Sequence, residues 1–118
     1  MPFDPDLVLR ALAHSARRRM IDLLVEHPGM SVKAVASHFD FSRIATMKHL
    51  ATLESAGLVI SEKHGRTRKL YFNPVPIQEI YRRWIRPFEA LPADRLLRIK
   101  RLAEARDARP PRRKETTK

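Results

Sequence analysis

Apolar residues recur at helical spacing along the first half of the chain, switch to short β-prone runs near the middle, and return to a long helical stripe. Leu7, Val8, Ala11 and Leu12 follow Asp4-Pro5, a capping residue with proline at the first helical position, and predict a first helix. Ser15 restarts a second helix, from Ala16 to about His27, with Met20, Ile21, Leu23 and Leu24 turned inward. Pro28-Gly29 stops it. Ser31 caps a third, short helix in which Val32, Val35, Ala36 and Phe39 fall at i, i+3, i+4 and i+7. After a break at Asp40-Phe41, Ser42 caps a fourth helix that runs through Ala56 and ends at Gly57.

Residues 31–57 therefore read helix, short turn, helix, which is the layout of a helix-turn-helix. Beyond Gly57 the period changes. Leu58-Val59-Ile60 and Leu70-Tyr71-Phe72 flank His64-Gly65-Arg66-Thr67 and predict a β-hairpin, ended by Asn73-Pro74 and Pro76. Ile77, Ile80, Tyr81, Trp84, Ile85, Phe88 and Leu91 then form an apolar helical stripe. Pro87 and Pro92 interrupt it, so a kink or break precedes a final helix from about Ala93 to Arg106. Residues 107–118, with Arg109-Pro110-Pro111-Arg112-Arg113-Lys114, predict a basic, disordered tail behind a single domain over 1–106.

The fourth helix has two unequal faces. At about 100° per residue, Thr46, Leu50 and Leu53 share the side that packs inward. Ile44, Met47, Lys48 and Ala51 share the other, with Ser42 and Arg43 at its N-terminal end. Two large apolar side chains on a wet face need a partner. Double-stranded DNA is a suitable one: apolar groups meet thymine methyls, and an arginine pairs bidentately with guanine. On this reading Arg43 reads a base and Lys48 holds a phosphate. The alternative is that Ile44 packs on the preceding helix and only the charges touch DNA. Lys63, Arg66, Arg68 and Lys69 crowd the hairpin, more cations than a sheet edge needs for solubility, and suit a phosphate backbone or minor groove.

Charge sharpens this picture. The 118 residues carry a net +11, which favours a polyanionic partner. Residues 106–118 hold +4 of it, leaving +7 on the folded body. With no cysteine, disulfides, thiolate metal sites and Cys nucleophiles are excluded, and a reducing, cytoplasmic setting is expected. No apolar run approaches the ~18 residues of a membrane span, so no membrane is expected as partner. The N-terminus has no signal-type apolar core. Three glycines and no phosphate loop or paired acid/base carboxylates argue against an enzyme, and no catalytic residue is assigned.

Ser42-Arg43-Ile44-Ala45-Thr46-Met47-Lys48-His49-Leu50, continuing to Leu53-Glu54-Ser55-Ala56-Gly57-Leu58-Val59, resembles the recognition-helix motif of ArsR-type repressors. Leu12-Ala13-His14-Ser15-Ala16-Arg17-Arg18 resembles that family's entry into its second helix, and Gly65-Arg66 through Leu70-Tyr71-Phe72 resembles its wing. The resemblance covers about residues 5–90. It implies a mainly α fold with a small β-hairpin, a winged helix-turn-helix whose N- and C-terminal helices dimerise. It further implies a homodimer that represses transcription from an inverted-repeat operator. By position, Ser42, Arg43, Ile44, Met47 and Lys48 fall where the family contacts bases. His49 falls on a common family histidine that either supports the helix or touches a phosphate. Leu7, Leu9, Ile77, Ile80, Tyr81, Trp84, Ile85 and Phe88 fall at the implied dimer interface.

Departures from the family matter as well. Its arsenic and cadmium sensors use cysteines, and this chain has none. Its zinc sensors use Asp, His and Glu along the C-terminal dimer helix, which here offers Glu79 and Glu89 without histidine. His14, His27, His38, His49 and His64 lack ligand spacing, so neither metal nor cofactor is expected, and the inducer stays unassigned. The competing functions are a winged-helix module for nonspecific DNA, RNA or protein binding, and an architectural protein tethered by its tail.

Overall fold

The computed structural model describes residues 3–108; of the tail expected over 107–118, residues 109–118 lie outside them. Helices α1 (Pro5–Leu12), α2 (Ser15–Glu26), α3 (Val32–Ala36) and α4 (Arg43–Ser55) lead into strands β2 (Val59–His64) and β3 (Thr67–Phe72). A two-residue strand β1 (Met30–Ser31) precedes α3. After the strands come α5 (Val75–Trp84), α6 (Arg86–Glu89) and α7 (Ala93–Ala108). The chain divides into two compact units, one reaching Tyr81 and the other starting at Arg82.

Side chains at the helix starts explain where they begin. Asp4 Oδ1 accepts from the Asp6 amide at 2.9 Å, Ser31 Oγ from Ala34 at 3.0 Å, and Ser42 Oγ from Ala45 at 3.1 Å. The second helix starts one residue earlier than expected. His14, not Ser15, is its cap, with Nδ1 accepting from the Ala16 amide at 3.1 Å. The third helix is shorter than its apolar spacing predicts. Ser37 Oγ donates to the Ala34 carbonyl, and His38 and Phe39 amides bond back three residues to Val35 and Ala36, tightening the chain into a turn. Phe39 thus lies past the helix end, stacked on Phe41 with ring centroids 4.9 Å apart.

Gly57 closes α4 with φ of +77°, a conformation that excludes most side chains. Its amide bonds to Glu54 O and the Leu58 amide to Leu53 O, the paired bonds of a Schellman stop. The chain then enters β2. β2 and β3 pair antiparallel from Val59↔Phe72 to His64↔Thr67, around the two-residue turn Gly65-Arg66. Sequence predicts only this hairpin; β1 adds a third strand on the far side of β3, with Met30↔Leu70 and Ser31↔Lys69. Its two residues carry too little pattern to be visible before folding.

The core of the first unit gathers around α4, which packs against α1, α2, α3 and β2. Val8 and Ala11 from α1, Met20, Ile21 and Leu24 from α2, and Val35 from α3 meet Leu50 and Leu53, with Leu58, Val59 and Leu70 from the sheet side. Thr46 is buried with them, its Oγ1 donating to the Ser42 carbonyl at 3.2 Å. In the second unit, Pro87 stands in the first turn of α6 and Pro92 precedes α7, the breaks that the prolines predict. α7 continues two residues past its expected end at Arg106. No helix among the described residues is long and apolar enough to cross a membrane.

Candidate nucleic-acid interface

Burial of Thr46, Leu50 and Leu53 locks the rotation of α4, and the opposite side is left in water. Ile44 is 67% exposed and Met47 48% exposed, with Ser42, Arg43 and Lys48 exposed beside them. Ile44 therefore does not pack away on α3. This outer face meets the hairpin across a cleft of about 220 Å³. Lys33, Arg43, Arg66 and Arg68 line the cleft together with Ser31, Val32, Met47 and Thr67, and no carboxylate lines it. Lys33, Arg43 and Arg66 give this opening a positive field in a chain of net +11, where a phosphate is a fitting guest, while Arg68 is paired with Glu54.

Lys33 was not among the sequence-predicted site residues. It joins because the pairing Ser31↔Lys69 brings the start of α3 beside the hairpin, a long-range contact that no local pattern announces. The hairpin cations divide by strand alternation, since residues directly opposite share a face. Lys63 and Arg68 face each other in register and continue the face that holds Val59 and Leu70. Lys69 lies on the other face, opposite Glu62, and Glu62 Oε1 is 2.6 Å from His64 Nε2. Arg66 occupies the turn.

Arg68 is already engaged. Its Nη2 donates to Glu54 Oε1 at 2.9 Å, to Glu54 Oε2 at 3.0 Å, and to Ser61 Oγ at 2.9 Å. Ser61 Oγ in turn donates to Glu54 Oε1 at 3.1 Å. Partly exposed pairs of this kind contribute about 0.2–1 kcal/mol to stability.

His49 supports the helix. Its Nδ1 accepts from Arg17 Nη1 at 3.1 Å, while Arg17 also donates to the Ala11 and Arg10 carbonyls at the end of α1. One side chain thereby ties α1 and α2 to the recognition helix. The structure also joins two histidines that sequence reading kept apart: the His14 and His49 rings lie 4.5 Å from centroid to centroid, with Phe41 5.4 Å from His49. Burial, then the neighbouring His14 and Arg17 charges, push the His49 pKa below its ordinary 6.5. The unfolded chain therefore takes up this proton more readily. Stability is retained above about pH 6.5 and falls as pH drops below it. In urea unfolding at pH 7.5 and 5.5, His49→Gln is expected to lose less stability on acidification than the wild type; equal losses would remove His49 as the cause.

Of the residues implied at a dimer interface, Ile77 and Ile80 pack against the core of their own chain. Leu7, Leu9 and Tyr81 in the first unit, and Trp84, Ile85 and Phe88 in the second, remain 40% exposed or more.

A capped helix with a locked inner face, a basic outer face and a basic hairpin after it define a winged helix-turn-helix. Residues 12–62 match the family model described as a helix-turn-helix domain. The chain is 36% identical over 86 residues to the uncharacterized HTH-type transcriptional regulator YuzN of Bacillus subtilis (strain 168), covering 68% of this chain and 94% of that one. An ArsR-like transcriptional regulator from Rhodococcus sp. RHA1 superimposes with TM-score 0.64 at 29% identity, over 85% of this chain and 90% of the other. A possible transcriptional regulator for arsenical resistance does so with TM-score 0.58 at 35% identity, over 75% and 91%. The chain belongs to the ArsR-type winged helix-turn-helix transcriptional regulators. It is a DNA-binding regulator of transcription and not an enzyme.

Proposed function

We propose that the protein is a repressor that binds an inverted-repeat operator as a homodimer. The observation that carries this reading is the pair Ile44 and Met47, exposed side by side on a helix whose other face is locked into the core. Apolar groups held in that position suit thymine methyls in a major groove, with Arg43 beside them for a guanine and Lys48 for a phosphate. Lys63, Arg66 and Lys69 supply phosphate contacts on either side of the hairpin. His49 holds the helix from behind.

Two-fold pairing is supported by exposed apolar side chains in each unit, Leu7, Leu9 and Tyr81 in the first and Trp84, Ile85 and Phe88 in the second. A dimer places two recognition helices in successive major grooves, about 34–36 Å apart. Ile77 and Ile80 are half-buried against their own core and offer such an interface only their remaining exposed surface.

Selection of bound fragments from a random duplex pool, at roughly physiological salt, tests both parts. An enriched inverted repeat is expected. Binding without enrichment would favour the nonspecific or RNA-directed module, and an enriched single half-site would remove the dimer.

A further inference from the structure

We infer that Arg68 and Glu54 are positioning residues: a strut, closed by Ser61, that sets the hairpin against the recognition helix. This rests on the DNA-binding reading and changes the part that Arg68 plays in it. Three hydrogen-bond contacts converge on Arg68 Nη2, and Ser61 Oγ completes the triangle by donating to Glu54. Glu54 belongs to the last turn of α4, Ser61 to β2 and Arg68 to β3, so the triangle joins the recognition helix to both strands.

The alternation of the strands explains the geometry. Leu70 and Ser61 are cross-strand partners, and Arg68 lies two residues from Leu70 on the same face. That face is buried where it carries Leu70 and Val59, and becomes polar where it carries Ser61 and Arg68. The hairpin therefore leaves the buried core at this level; β1 pairs with β3 only as far as Lys69, and Lys63 to Arg68 are exposed. A carboxylate accepting from a guanidinium and a hydroxyl restrains the hairpin there.

Glu54 places a negative charge beside a surface intended for a polyanion. On electrostatics alone, removing it should strengthen binding to every duplex, and removing Arg68 should weaken it like any phosphate contact. The strut predicts otherwise. Because Glu54 neutralises Arg68, loss of Arg68 releases no phosphate contact and leaves the salt dependence nearly unchanged. What falls is discrimination, because the hairpin loses its angle to the helix.

The experiment compares Glu54→Ala, Arg68→Ala, Arg68→Lys and Arg66→Ala, each checked for folding by circular dichroism. Affinity is measured for the selected operator and a scrambled duplex across a salt series. Arg66→Ala is expected to lower the slope of log K against log salt by about one. Arg68→Ala is expected to leave that slope unchanged while the operator-to-scrambled ratio falls about threefold or more, the scale of one exposed ion pair. Glu54→Ala should lower the same ratio, although it binds scrambled duplex more tightly. Arg68→Lys retains the ion pair and should keep the wild-type ratio. A slope lowered by about one in Arg68→Ala with the ratio intact, or equal tightening on both duplexes in Glu54→Ala, would overturn the strut.

Hydrogen exchange on the free protein separates this inference from the DNA-binding reading. Amides of residues 62–69 should exchange faster in Glu54→Ala and Arg68→Ala, with core amides of α2 unchanged. Unaltered hairpin exchange rejects the strut whether or not the wild type binds any duplex.

Discussion

Leu53→Ala is expected to lower the unfolding free energy by about 2–5 kcal/mol, from a total that domains of this size set at about 5–15 kcal/mol. Leu53 is fully buried on the side of α4 that packs against α1, α2, α3 and β2, so little around it can collapse into the space left behind. Its carbonyl also closes the Schellman stop by accepting from Leu58, which keeps the backbone in place while the side chain is removed. Urea unfolding at fixed protein concentration measures the loss. A change under about 1 kcal/mol would mean that the site collapses readily, and that α4 is not the common anchor described above. DNA binding should fail in parallel, since the outer face of α4 is oriented only by what its inner face is packed against.

Arg43→Ala is expected to cost about 1–3 kcal/mol on the correct operator and to relax sequence preference at one position. Arg43 stands in the first turn of α4, exposed, and lines the basic cleft. Lys69→Ala should instead weaken every duplex about equally and reduce the salt slope by roughly one. Lys69 lies on the hairpin face turned away from the core, opposite Glu62, where a base edge is harder to reach than a phosphate. Titrations of both variants against operator and scrambled duplex check this. Identical behaviour of the two would erase the distinction between base reader and phosphate anchor.

The helix-turn-helix was legible because its signals are local. Ser31 and Ser42 are capping residues whose hydroxyls need only the amide three positions on. The spacing of Thr46, Leu50 and Leu53 states which face of α4 turns inward, and the exposure of Ile44 and Met47 follows by geometry. α2 starts at Ser15, one residue before the expected Ala16, because His14 caps it, and a histidine acts as a cap only when its ring nitrogen is an acceptor, a choice of tautomer that the sequence does not carry. The end of α3 was misplaced because Phe39 keeps helical spacing while the backbone has already tightened into a turn.

By itself, the sequence determined the order and type of the long elements, the inward face of the recognition helix, the basic hairpin and the class of polyanion that such a surface suits. These follow from periodicity, capping and charge, all of which act over a few residues. Only the tertiary structure decided what those elements do to one another. It placed Lys33 in the cleft through the pairing of Ser31 with Lys69, and brought His14 to His49 across 35 positions. It packed Ile77 and Ile80, each still half-buried, against their own core, and paired Arg68 with Glu54. Each outcome depends on which distant side chain arrives within hydrogen-bond or packing distance, and that is set by how the whole core closes.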